Sequence, residues 1–146
     1  MKISEIQVSY STNKLNKIKI SNTEDLYSVV LKNWNLNTIE LFEEAKIILL
    51  NNNNSILGIY NLSKGGVSST IIDIRLILSI ALKTNSSAII LIHNHPSGNL
   101  NPSKNDLEIT KTTKEACNLL NIKLLDHLIV SKNGYYSFLK EGILTK

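Results

Sequence analysis

Two histidines one residue apart, His93 and His95, and an aspartate eleven residues on, Asp106, are the side chains here best suited to chemistry. Residues 88–92 before them form a short apolar run rich in isoleucine, bounded by Ser86-Ser87 and by Pro96 and Gly98. That is the pattern of a buried central strand. Strand side chains alternate between faces, so His93 and His95 project from the same face at the strand's end. Pro96 has no amide hydrogen and stops the pairing there. Two imidazoles and a carboxylate leave a fourth position for water, the form of a catalytic zinc site rather than a closed structural one. Zinc so held would lower the pKa of that water from about 16 to around 7.

Other roles fit the same residues. A His-x-His pair at a strand end can simply be hydrogen-bonded. Ser103-x-x-Asp106 is also a helix capping box, with the acid at the positive end of the helix dipole. The roles are compatible, because a helix start presents a carboxylate rigidly.

His93-Asn-His95-Pro-Ser-Gly98 with Pro102-Ser103-x-x-Asp106 resembles the RadC branch of the JAB/MPN (JAMM) metalloprotein domains. The resemblance extends to Arg75, Leu125-Asp126-His127 and Tyr136-Ser137-Phe138, roughly residues 40–142. The chain's length and its strand pairs alternating with two long helices point to one α/β (α+β) domain over residues 1–146. Its core lies at about 40–142, where the resemblance is, with residues 1–39 packed on it as an N-terminal extension. The implied fold is a curved mixed sheet flanked by helices, in a layout related to the cytidine deaminases. The resemblance also implies Zn2+ on His93, His95 and Asp106, although iron, cobalt or manganese would accept the same donors. A JAMM enzyme takes its general base from a glutamate on an earlier strand, which gapless alignment places at Glu43. Glu43 also shares parity with Ala45, Ile47 and Leu49, whereas Glu44 shares parity with Lys46. Against this, Glu40, Glu43 and Glu44 could form a solvated turn. Ser103 resembles the JAMM serine that donates to a developing oxyanion. The implied activity is hydrolysis of an amide bond in a peptide or isopeptide, so the expected partner is a peptide or protein substrate. The rivals are DNA processing, with nucleic acid as substrate, and a non-catalytic scaffold. Residues 1–39 show no likeness to the helix-hairpin-helix region that opens full-length RadC proteins.

Bulk properties narrow the field. Hydrophobic residues at 42%, charged residues at 19% and a mean hydropathy near zero fit a soluble globular chain with a real core. The net charge of +4 comes from scattered lysines, which makes a weak electrostatic case for nucleic acid. A single cysteine, Cys117, excludes an internal disulfide and a cysteine-rich metal site. No apolar run is long enough for a membrane span and the start lacks a secretion segment, so the expectation is cytoplasmic with no membrane partner.

The elements that must position the site can be read in order. Residues 5–10 and 17–20 alternate like half-exposed strands. Ser21-x-x-Glu24 reads as a capping box before a helix carrying Leu26, Val29, Val30 and a core Trp34. Residues 46–50 and 55–62 read as a hairpin through Asn51 to Asn54. Gly65-Gly66 makes a connection that lacks any phosphate-loop pattern. A helix is predicted over 71–83 with Ile74, Ile77, Leu78, Ala81 and Leu82 inward, and another over 103–118. Residues 122–130 read as a strand interrupted at Asp126-His127, a pair assigned to structure or to orienting a metal ligand. Asn133-Gly134 would turn into a last strand. Ser97 lacks the G-x-S-x-G setting of a nucleophile, and Arg75 could hold a carboxylate or an anionic substrate.

Overall fold

The computed structural model of the protein describes residues 1–12, 17–66 and 70–145. Its centre is β3 (Ala88–Asn94), all seven residues of which are buried. β1 (Glu44–Leu50) pairs antiparallel on one side, and β4 (Lys123–Ser131) parallel on the other. β2 (Ile56–Lys64) and β5 (Gly134–Ser137) flank these, giving the order β2-β1-β3-β4-β5. A strand covered on both faces has no polar side to alternate with, which is why residues 88–92 read as a continuous apolar run.

The helices supply the cover. α2 (Ile74–Lys83) and α3 (Lys104–Leu119) lie on one face, where Ile77, Ala81 and Cys117 join Ile47, Leu49, Ile89, Leu91 and Ile129. α1 (Thr23–Lys32) lies on the other, where Leu26, Val30 and the following Trp34 join Ile48, Leu50, Ile90, Ile92 and Val130. The result is a mixed α/β sandwich with the odd-numbered residues of β1 and β3 facing α2 and α3.

Several local expectations are corrected. Residues 5–10 form no strand, and Ile6 and Val8 are largely exposed. Alternation makes a strand only where a neighbour supplies hydrogen bonds, and no described residue pairs with this segment. Residues 17–20 contribute one isolated bridge, Lys19 with Ser55. The α1 cap is Asn22, not Ser21: its Oδ1 accepts from the Asp25 amide at 2.8 Å. α2 starts at Ile74 behind an Asp73 cap, and Leu82 is half exposed. The last hairpin turns at Lys132-Asn133, with Gly134 already in β5. β4 runs unbroken through Asp126 and His127. A register shift skips Leu125, so Leu124 and His127, three apart, share a face. Among the described residues, no helix is long and apolar enough to cross a membrane.

Candidate metal centre

His93 occupies the next position on the β3 face that buries Ile89 and Leu91, so its ring points toward α3. His95 follows just past the strand, where its amide still bonds to the Val130 carbonyl at 3.1 Å. Asp106 lies in the first turn of α3 within a complete capping box. Ser103 Oγ accepts from the Asp106 amide at 3.0 Å, and Asp106 Oδ2 accepts from the Ser103 amide at 2.8 Å. The box holds the carboxylate against the two rings. His93 Nε2 lies 3.2 Å from Oδ1, His95 Nε2 lies 3.2 Å from Oδ2, and the two Nε2 atoms are 3.0 Å apart.

Glu43 comes immediately before β1 and keeps the parity of Ala45 and Ile47, so it stands on the same face; Oε1 is 3.8 Å from His95 Nε2. Donor atoms of Glu43, His93 and His95 all lie within 4.8 Å of one another. Glu44 lies across the sheet, with Oε2 3.8 Å from Lys46 Nζ, and Glu40 is exposed beside Lys132. Sequence reading missed what holds Glu43 in place. Its amide donates to the Gly66 carbonyl at 3.3 Å and its carbonyl accepts from the Gly65 amide at 2.8 Å. The fully buried Asn94, between the two histidines but on the opposite face, donates to the Ile39 and Phe42 carbonyls at 2.7 and 3.0 Å. Its Oδ1 accepts from the Glu44 amide at 2.7 Å.

Electrostatics draw the cluster together. Burial would raise the Asp106 carboxyl, but the His93 and His95 imidazoles beside it hold it well below the usual carboxylate range. Burial lowers His95, yet Asp106 and the Asn99 carbonyl, 2.6 Å from Nδ1, outweigh it and leave its pKa raised. Enclosure holds that of His127 well below 6.5. Glu43, His93, His95 and Asp106 border a cleft of about 420 Å³ also lined by Thr70, Ile72, Ser97 and Ser103. A larger cleft of about 770 Å³ near the start of α1 contains no such donor set.

The donor set fits a metal. Zinc–nitrogen and zinc–oxygen bonds of about 2.0–2.1 Å put neighbouring tetrahedral ligands about 3.3 Å apart. The His93 and His95 Nε2 atoms, 3.0 Å apart, each lie 3.2 Å from one Asp106 oxygen, His93 from Oδ1 and His95 from Oδ2, separations close to that size. Glu43 stands further out, reaching His95 alone at 3.8 Å. The Asp126-His127 pair separates. Asp126 borders the larger cleft and accepts from Ser137 Oγ and from the His127 and Leu139 amides, whereas His127 turns to His93. The exposed Arg75 makes no ion pair among the described residues.

Comparison with known proteins places these features in a family. A family model of the RadC-like JAB domain matches residues 20–143. A UPF0758 protein of Flavobacterium johnsoniae is 48% identical over 101 residues, 69% of this chain and 44% of that protein. Another, from Porphyromonas gingivalis, is 48% identical over 103 residues, 70% of this chain and 45% of that one. A third, from Clostridium beijerinckii, is 38% identical over 130 residues, 88% of this chain and 55% of that one. The chain spans about half the length of the curated relatives it matches. A mixed five-stranded sheet flanked by helices, a histidine–carboxylate cluster that could hold a metal, and a match over most of its length show that this chain belongs to the RadC-like JAB domain family.

Proposed function

We propose that this cleft hydrolyses an amide bond, in a peptide or isopeptide, with a divalent metal held by His93, His95 and Asp106, zinc by preference. The observation that carries the reading is two imidazole Nε2 atoms 3.0 Å apart, each 3.2 Å from an oxygen of the Asp106 carboxylate, with a second carboxylate set just outside them. When bound, zinc supplies Lewis acidity that polarises a carbonyl and makes water nucleophilic near neutral pH. The remaining work falls to the chain. Glu43 takes the proton of the attacking water and returns it to the leaving amine. Its backbone is fixed by hydrogen bonds to Gly65 and Gly66, and its carboxylate stands at the rim of the cluster, 3.8 Å from His95. Ser103 uses an oxygen lone pair for its cap, so its hydroxyl hydrogen remains available to a carbonyl oxygen gaining charge.

Zinc titration comes first: His95→Ala and Asp106→Asn should abolish stoichiometric binding, and Glu43→Gln should leave it nearly unchanged. Zinc-loaded protein is then screened against peptide, isopeptide and single- and double-stranded DNA substrates. On an amide substrate Glu43→Gln should lower turnover by about 100-fold or more, while Glu44→Gln and Glu40→Gln stay within a few-fold. Cleavage confined to DNA, or full turnover by Glu43→Gln, would overturn the reading.

A further inference from the structure

We propose that His127 and Thr110 are positioning residues that fix the tautomer and ring orientation of His93, presenting its Nε2 to the metal site as a lone pair. This deepens the proposed function and rests on it for the identity of the metal site. The hydrogen bonds themselves belong to the protein alone.

Four groups run in line from α3 to the cluster. The Thr110 hydroxyl lies 2.6 Å from the Asp106 carbonyl oxygen one turn earlier in its own helix. The same hydroxyl lies 2.6 Å from His127 Nδ1. His127 Nε2 then lies 2.8 Å from His93 Nδ1. Thr110 and His127 are almost wholly buried, out of reach of bulk solvent. The His127 ring is also stacked on Phe138, with centroids 4.4 Å apart and planes 9° from parallel.

Counting hydrogens gives the chain a direction. A contact of 2.6 Å between two oxygens needs a hydrogen between them. A backbone carbonyl has none, so the single Thr110 hydrogen goes to Asp106. Thr110 therefore accepts from His127, whose hydrogen sits on Nδ1. His127 is enclosed, and its two ring nitrogens meet Thr110 and His93 with no carboxylate among the described residues bonded to them, so it carries one ring hydrogen and its Nε2 is bare. That atom accepts from His93 Nδ1–H, and His93 Nε2 is left as a lone pair between His95 and Asp106. The opposite direction would leave Thr110 and Asp106 oxygens in contact without a hydrogen and would put one on the atom that must bind metal. α3 thus presents a ligand through its first turn and anchors that ligand's partner one turn later.

The chain holds three histidines, so long-range proton–nitrogen correlation spectra of histidine-labelled, metal-free protein at mildly alkaline pH contain three imidazoles. We expect His127 and His93 both in the Nδ1–H form, and Thr110→Val should raise the Nε2–H form of His127. His127 in the Nε2–H form in the unmodified protein would overturn the proposal, whether or not the protein is an enzyme. Zinc affinity supplies a second readout. His127→Leu keeps bulk but removes the acceptor and should weaken binding about 10- to 100-fold. His127→Gln offers a carbonyl oxygen to His93 and should recover most of that loss. Equal affinity in a folded His127→Leu variant would overturn the proposal, and if that variant fails to fold the tautomer measurement decides alone. If no metal binds the unmodified protein, the proposed function fails while the tautomer result still tests the hydrogen-bond chain.

Discussion

Asp106 serves two structures with one carboxylate. Oδ2 caps α3 through the Ser103 amide, and both oxygens sit 3.2 Å from an imidazole. The pairing sets a pH dependence whose sign can be worked out. Asp106 is depressed below its ordinary 3.8, so its contribution to stability is present above that value and is lost as pH falls through the depressed one. His95 is raised above its ordinary 6.5, so its contribution is present below 6.5 and is lost as pH rises through the raised value. The metal-free protein should therefore melt at a lower temperature as pH climbs above 6.5. Metal competes with the proton for the same nitrogen, so zinc affinity should rise over that interval. Melting curves with and without chelator across the neutral range would check both slopes, and parallel slopes would contradict the competition. Strand parity puts His93 and His95 on one face and a capping box puts Asp106 at a helix start, because each rule is local, whereas Glu43 is singled out by the family resemblance with parity only in support. The path from His127 to His93 is not local. It depends on the bulge at Leu125, which reverses the phase of β4 and which no residue type announces.

At the scale of elements, the site is a meeting of three ends: the exit of β3, the entry to β1 and the start of α3. The entry to β1 is irregular from Ile39 to Glu43, and Asn94 fastens it by two carbonyls and one amide. Removing that amide side chain strands buried backbone groups, each costing about 1–3 kcal/mol. Asn94→Ala should accordingly lose about 2–4 kcal/mol in urea unfolding, while His93 and His95 on the opposite face still bind zinc. A loss under about 0.5 kcal/mol, the scale of a neutral surface change, would show that the segment is held by something else. The middle residue of His-x-His is thus a fastener for the segment carrying Glu43, and parity shows only that it faces away. What it touches comes from Ile39 and Phe42, more than fifty residues earlier, beyond the reach of periodicity. The same limit explains residues 5–10, where alternation is present but no strand among the described residues pairs with it. Elements whose cover is written in their own spacing, such as β3 and α3, are the ones a sequence reading places well.

Across the whole molecule, the apolar core and the candidate metal centre occupy different regions. The two apolar layers meet on β3, where Ile89 and Leu91 face α2 and α3 while Ile90 and Ile92 face the α1 side, all at most 1% exposed. The candidate metal ligands lie at the edge of this mass, and the Asp106 cap is made entirely with Ser103 of the same helix start. Chelation should therefore leave far-ultraviolet circular dichroism unchanged, and His93→Ala should remain folded. Ile90→Ala touches no site residue but opens a cavity under α1, and should cost about 2–5 kcal/mol. Against a typical stability of about 5–15 kcal/mol, that loss would be easily measured and could approach unfolding. The contrast makes the test sharp, because structural metal domains behave in the opposite way and unfold when the ion is withdrawn. Loss of secondary structure on chelation, with Ile90→Ala nearly silent, would mean that the cluster holds the fold together and that its open fourth position has been misread. The expected result is the reverse: an intact sheet without metal, and one already weakened when a single isoleucine is trimmed beneath α1.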